Sequence, residues 1–131
     1  MSKYVYPAIF TPEEAGISVE FPDVTGCFSS GETLAEAMDM ATDALCLMLY
    51  HLETEGKRFP SVSKVKDVPI EGDQFVSLIS CDTITYRKRF DNRAVKKTLT
   101  IPAWLNDMAE RDGVNFSATL QGALKNQLHI E

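Results

Sequence analysis

The chain has 131 residues, 44% hydrophobic and 24% charged, a balance that excludes disordered and fibrous proteins and suits one medium domain, or a small domain plus a very small one. No apolar stretch approaches the roughly 20 residues of a membrane-spanning helix, and the opening MSKYVYPAIF lacks the apolar run of a signal peptide, so a cytoplasmic protein is expected. The net charge of −6 is split into −9 over residues 1–86 (five basic, fourteen acidic) and +3 over residues 87–131 (eight basic, five acidic), which points to a basic protein as partner of the first part and nucleic acid as partner of the second.

Cys27, Cys46 and Cys81 lie far apart and are odd in number, which argues for small buried hydrophobes rather than a disulfide framework or a zinc site. With only His51 and His129 as imidazoles, no cofactor or metal is expected.

In chain order, Tyr4–Phe10 is rich in aromatic and β-branched residues and reads as a strand, with Pro7 placing it at an edge or a bulge. TPEEAG (Thr11–Gly16) is a turn. Ile17–Phe21 alternates apolar and polar residues, the period of a half-buried strand, and completes a hairpin. Pro22–Gly26 turns again, and Cys27–Ser30 is a short third strand. Thr33, with Glu36 three residues on, forms the capping box of a helix of about 22 residues that stops near Gly56. Leu34, Met38, Ala41, Leu45, Met48, Leu49 and Leu52 make its expected apolar stripe. Lys57–Gly72 reads as loop and Gln74–Ser80 as a strand. The order β-β-β-α-β gives a two-layer α+β domain over residues 1–86.

Residues 87–94 read as a basic linker, and residues 95–131 as a separate module. Val95–Ile101 is strand-like, Pro102 suits a helix start, and Ala103–Asp112 is helical up to Gly113. Ser117 is the expected cap of a last helix, Ala118–Leu128. One strand and two helices cannot bury enough surface alone. Two copies pairing their strands and interlocking their helices solve the problem, which is the logic of a ribbon-helix-helix (β-α-α) DNA reader. Alternation then places Leu99 and Ile101 in a dimer core with Leu105, Leu120 and Leu124. Thr98 and Thr100 point to the bases with Lys96, Lys97 reaches a phosphate, and the Ser117 helix start offers N–H groups to a phosphate oxygen.

The segment 21–49, FPDVTGCFSSGETLAEAMDMATDALCLML, holds Pro22-Asp23, Gly26-Cys27, Ser29-Gly31-Thr33, Glu36-Ala37 and Ala44-Leu45 in fixed spacing. It resembles the central motif of HicB-family antitoxins. The likeness covers about residues 3–82, and the strand-helix-helix end is similar to HicB proteins that close on a ribbon-helix-helix. Many such helices carry an Asn where this chain has Asp39 or Met40. The resemblance implies a partial RNase H-like fold for the first domain. It also implies a HicA-like toxin, a small basic RNA-cleaving protein, as the partner neutralised, and repression of the shared promoter through double-stranded operator DNA by a homodimer or a tetramer.

An RNase H-like topology raises the question of metal-dependent nuclease activity. The available acids, Glu20, Asp23, Asp73 and Asp82, occupy no strand centre, and YVYPAIF has no aspartate, so no enzyme activity is expected. Asp23 is read as capping a turn. The alternative function is a stand-alone repressor whose first domain senses a small ligand.

Overall fold

A computed structural model describes residues 3–130. It divides into two compact units, Met1–Arg93 and Ala94–Glu131.

The first unit is mixed α+β. Strands β1 (Lys3–Glu13), β2 (Gly16–Glu20) and β3 (Phe28–Gly31) form a meander. Helix α1 (Leu34–Thr54) follows, and β4 (Phe75–Asp82) joins the sheet beside β1. All three pairings are antiparallel, in the order β3-β2-β1-β4. The third strand is thus shifted by one residue from its expected position, and the fourth begins later and runs further. Pro7 lies inside β1, opposite Leu78, whereas the β2 ladder stops at Ile9. The missing N–H therefore costs no ladder bond on the β2 side.

Register sorts the side chains. Tyr6, Phe10, Ile79 and Cys81 share the face that meets α1 and are buried there with Val19. From α1 the buried row is Ala37, Ala41, Leu45 and Leu49, with Cys46. Ala41, Leu45 and Leu49 are buried, and Met48 and Leu52 pack against the core, as expected; the start of the expected stripe is corrected. Leu34 and Met38 fall to its edge, 46% and 37% exposed. The reason is a close approach between α1 and the β2–β3 end of the sheet. A Cβ on Gly16 would overlap the Gly31 carbonyl oxygen. One on Gly31 would overlap the Ala37 backbone nitrogen and stand 2.8 Å from its Cα. Only small residues fit at that point, so the first helical turns present alanine and the larger side chains are turned aside. The start of α1 is as expected: Thr33 Oγ1 accepts from Glu36 N–H at 3.1 Å.

Residues 57–74 contain one short 3-10 turn, Val65–Asp67. Tyr6 Oη donates to the Pro60 carbonyl at 2.6 Å, Phe59 packs edge-on against Tyr4, and Val68 is buried. The Asp23 carboxylate accepts from Ser63 N–H at 2.7 Å and from its hydroxyl. Asp23 thus ties down a distant loop rather than capping its own turn.

Part of the expected linker is a helix, α2 (Thr83–Phe90). Asp82 caps it, its carboxylate accepting from Ile84 N–H at 3.0 Å and Thr85 N–H at 3.3 Å. Arg87, Lys88 and Arg89 fill its last turn, where the helix dipole favours cations.

The second unit contains α3 (Ala103–Arg111) and α4 (Phe116–Gln127). Gly113, at φ +67°, supplies the left-handed stop of α3. The cap of α4 is Asn115, whose Oδ1 accepts from Ala118 N–H at 3.0 Å. Ser117, expected as the cap, lies one residue inside the helix and accepts from Gln121.

Candidate functional site

Both candidate interfaces are surfaces, one on each unit. In the second unit, Val95–Ile101 forms no strand in the single chain, and no residue from Ala94 to Ile130 is buried. Leu99 is 60% exposed, Trp104 64% and Met108 56%; Ile101, Leu105 and Leu124 are also exposed, and Leu120 is half-buried. Lys96, Lys97, Thr98 and Thr100 lie on this same exposed arm, whereas Ser117 sits in the first turn of α4. The sequence-derived reader residues are therefore contiguous except for Ser117.

The division at Arg93 changes the charge picture. The basic cluster Arg87–Arg93 belongs to the first unit, and residues 94–131 carry four basic and four acidic side chains. Two members of that cluster are spent internally. Arg87 donates to Glu53 Oε1 from Nη2 at 3.1 Å and stacks 4.7 Å above the Tyr50 ring. Arg93 pairs with Asp91 at 2.9 Å. Neither is spare for DNA phosphates.

Glu53 is the node of this arrangement. Its other carboxylate oxygen accepts from Thr83 Oγ1 at 3.0 Å and from Tyr4 Oη at 3.5 Å. One turn back, Tyr50 Oη donates to Asp91 at 3.0 Å. The hydrogen bonds from Arg93 and Tyr50 hold the Asp91 carboxyl well below the usual carboxylate range. Rings of Tyr50, Tyr86 and Phe90 follow one another at 5.5 and 4.7 Å along the α1–α2 seam.

Three buried thiols sit in the core. Burial pushes Cys27 up to about 11. Cys46 of α1 and Cys81 of β4 are buried neighbours, and the interaction between their thiols together with burial pushes Cys81 up. The same interaction lowers Cys46 against the opposing effect of burial, whereas the raised Cys27 and Cys81 thiols are protonated at neutral pH.

The acids considered for nuclease chemistry do not converge. Glu20 is exposed on β2, Asp23 holds Ser63, Asp73 is exposed before β4, and Asp82 caps α2. Among the described residues no group of three or more His, Cys, Asp or Glu is placed to hold a metal ion, and no helix is long and apolar enough to cross a membrane.

Sequence reasoning missed one surface. Phe28, Met40, Ala44, Leu47, Tyr86 and Phe90 line a shallow depression of about 410 Å³, with Asp43 beside them. Met40 and Leu47 are seven residues apart on the outward side of α1, a spacing that marks a second apolar strip and could have revealed it.

An acidic α+β unit is joined to a small helical unit in which no described residue is buried. Over residues 6–123 the chain matches the family described as HicB-like antitoxin of bacterial toxin–antitoxin systems, and it belongs to that family. It is 26% identical to a chain of the toxin–antitoxin complex from Streptococcus pneumoniae, with a TM-score of 0.63, covering 95% of this chain and 99% of that one. A HicA3 and HicB3 toxin–antitoxin complex contains a chain 27% identical, with a TM-score of 0.51, over 60% of this chain and 99% of that one. An uncharacterized 14.9 kDa protein from the rep–hol intergenic region of Haemophilus phage HP1 is 30% identical over 104 residues, 77% of this chain and 75% of its own length.

Proposed function

We propose that this protein is an antitoxin that neutralises a HicA-like, RNA-cleaving toxin by direct binding, and that it represses its own operon by binding operator DNA. It acts as a non-enzymatic regulator in the cytoplasm. The observation that carries the reading is the likeness, across 95% of the chain, to a component of a toxin–antitoxin complex. The first unit takes the toxin. Its β-β-β-α-β order supports a partial RNase H-like scaffold. The second unit dimerises as a ribbon-helix-helix. Supporting this, none of residues 94–130 is fully buried in a single chain, while Leu99, Ile101, Leu105 and Leu124 are exposed. A unit of that size needs a second copy to exclude water. Two arms paired antiparallel would carry Lys96, Lys97, Thr98 and Thr100 into a major groove, with the α4 start at Ser117 on the phosphates.

The test uses two assays on one protein. Co-expression of the full chain with a HicA-like toxin restores growth, and the full chain shifts its own promoter DNA as a dimer or tetramer. A chain ending at Arg93 still binds toxin but no longer shifts DNA. Retention of the shift by that shortened chain overturns the division of labour.

A further inference from the structure

We infer that the basic toxin docks on the outward face of α1, its apolar contacts seated in the depression bounded by Phe28, Met40, Leu47 and Phe90. This deepens the proposed function and rests on it.

Large apolar side chains are not expected to gather at the surface of a small soluble unit without a partner. Phe28 is 65% exposed, Phe90 56%, and Met40 and Leu47 44% each. They come from β3, α1 and α2, so they form one patch rather than scattered residues, and it lies wholly within the first unit. The patch already has the make-up of an interface centre, aromatic and Met side chains with few charges inside.

Charge selects the occupant. From Tyr4 to Gly56 the sequence has ten acidic residues and neither Lys nor Arg. Helix α1 adds Glu36, Asp39 and Asp43, all exposed, alongside Met40 and Leu47. At the β2–β3 end, Glu13, Glu32 and Glu36 surround a second, polar depression and extend the acidic surface. A basic side chain approaches the apolar patch at its α2 rim, where Arg89 lies over the Phe90 ring. Nucleic acid is repelled by such a face. A second copy placed on it about a two-fold axis would set Asp39 and Asp43 against their own equivalents. A protein whose surface is basic because it binds RNA gains on both counts, burying the apolar patch and pairing its cations with the α1 acids.

The experiment measures binding of the full-length chain to a HicA-like toxin by calorimetry. Met40→Lys and Leu47→Lys are exposed changes, and unaltered melting curves verify the fold. Each is expected to weaken toxin binding about thirtyfold or more, the effect of losing a well-packed interface anchor, with promoter binding unchanged. Asp43→Lys weakens it and removes part of its salt dependence. Val5→Lys, on the opposite face of the sheet and 44% exposed, leaves it unchanged. If wild type binds tightly and the α1 variants bind equally well, the docking face is wrong while the antitoxin reading stands. If Leu47→Lys instead lowers the oligomer mass in light scattering with toxin affinity intact, the patch joins copies of this chain and the inference is overturned. If wild type binds no such protein, the antitoxin reading fails and this proposal with it.

Discussion

Substituting Gly31 by alanine tests the claim that α1 is seated directly on the sheet backbone. The added Cβ would overlap the Ala37 nitrogen and lie 2.8 Å from both Ala37 Cα and the Glu36 carbonyl carbon. These are backbone atoms of a helix, so no rotamer change relieves the overlap. Relief requires β3 and the first turns of α1 to separate by several tenths of an ångström, opening the contacts of Ala37 and Ala41, both fully buried. Overpacking of this kind costs about 1–3 kcal/mol, and a rigid neighbour places it in the upper half of that range. For a unit of this size that lowers the melting temperature by on the order of 10–20 °C. Gly26→Ala is the control. Gly26 has φ +80° and nothing near its missing Cβ, so the change carries only left-handed strain, about 1 kcal/mol. Adding Ala37→Gly to Gly31→Ala does not restore stability, because the overlapping atoms are the nitrogen and Cα. Urea unfolding followed by far-UV circular dichroism reads all four proteins. A loss below about 0.5 kcal/mol for Gly31→Ala, or rescue by Ala37→Gly, refutes the close approach.

Glu53→Gln removes the charge that Arg87 faces, a half-exposed pair worth about 1 kcal/mol after solvent screening. Amides of Thr83–Phe90 then exchange about fivefold faster, and unchanged protection means that α2 is held by its rings alone. Tyr4 and Tyr6 are raised by burial, then by Glu53 for the former and Asp23 for the latter, and burial raises Cys27 to about 11. Each group is neutral when protonated and binds its proton more tightly in the fold, so its contribution is complete below the ordinary values of 9.0 and 10.0. It is lost as pH climbs through the folded values, and the urea midpoint falls above about pH 9. A midpoint flat from pH 8 to 11 contradicts this. Lys96→Ala lowers the salt slope of promoter binding by roughly one if it meets a phosphate, or costs about 1–3 kcal/mol at one base position if it reads an edge. Unaltered operator affinity removes Lys96 from the reader.

The hairpin and the Thr33 cap of α1 were legible because local chemistry and tertiary packing agree there, Thr33 Oγ1 accepting from Glu36 N–H. The rotation of the α1 stripe was not, because periodicity ranks Leu34 and Met38 above Ala37 and carries no information on how near the sheet backbone comes. Helix α2 was hidden by a β-branched start, Thr83-Ile84-Thr85, of modest helix propensity. It is held by groups far off in sequence, Glu53 and Tyr50. Asn115 and Ser117 are both good caps two residues apart, and nothing local separates them. The outward patch of α1 escaped because a search for one core-facing stripe discards apolar residues on the other side. The arm 95–101 is a different matter: it forms no strand in the single chain, because a lone extended segment finds no ladder partner there.

The β4 ladder runs without interruption past Pro7, so the imide nitrogen faces the flank that β2 has left by Ile9. An incoming segment seeking to extend the sheet there would find no amide hydrogen at its midpoint and a fully buried ring in the way. That blocks main-chain recruitment at this flank, both by a sister molecule during crowded synthesis and by an adventitious peptide. Any contact at this flank must therefore be made through side chains, so its selectivity is a matter of shape and charge.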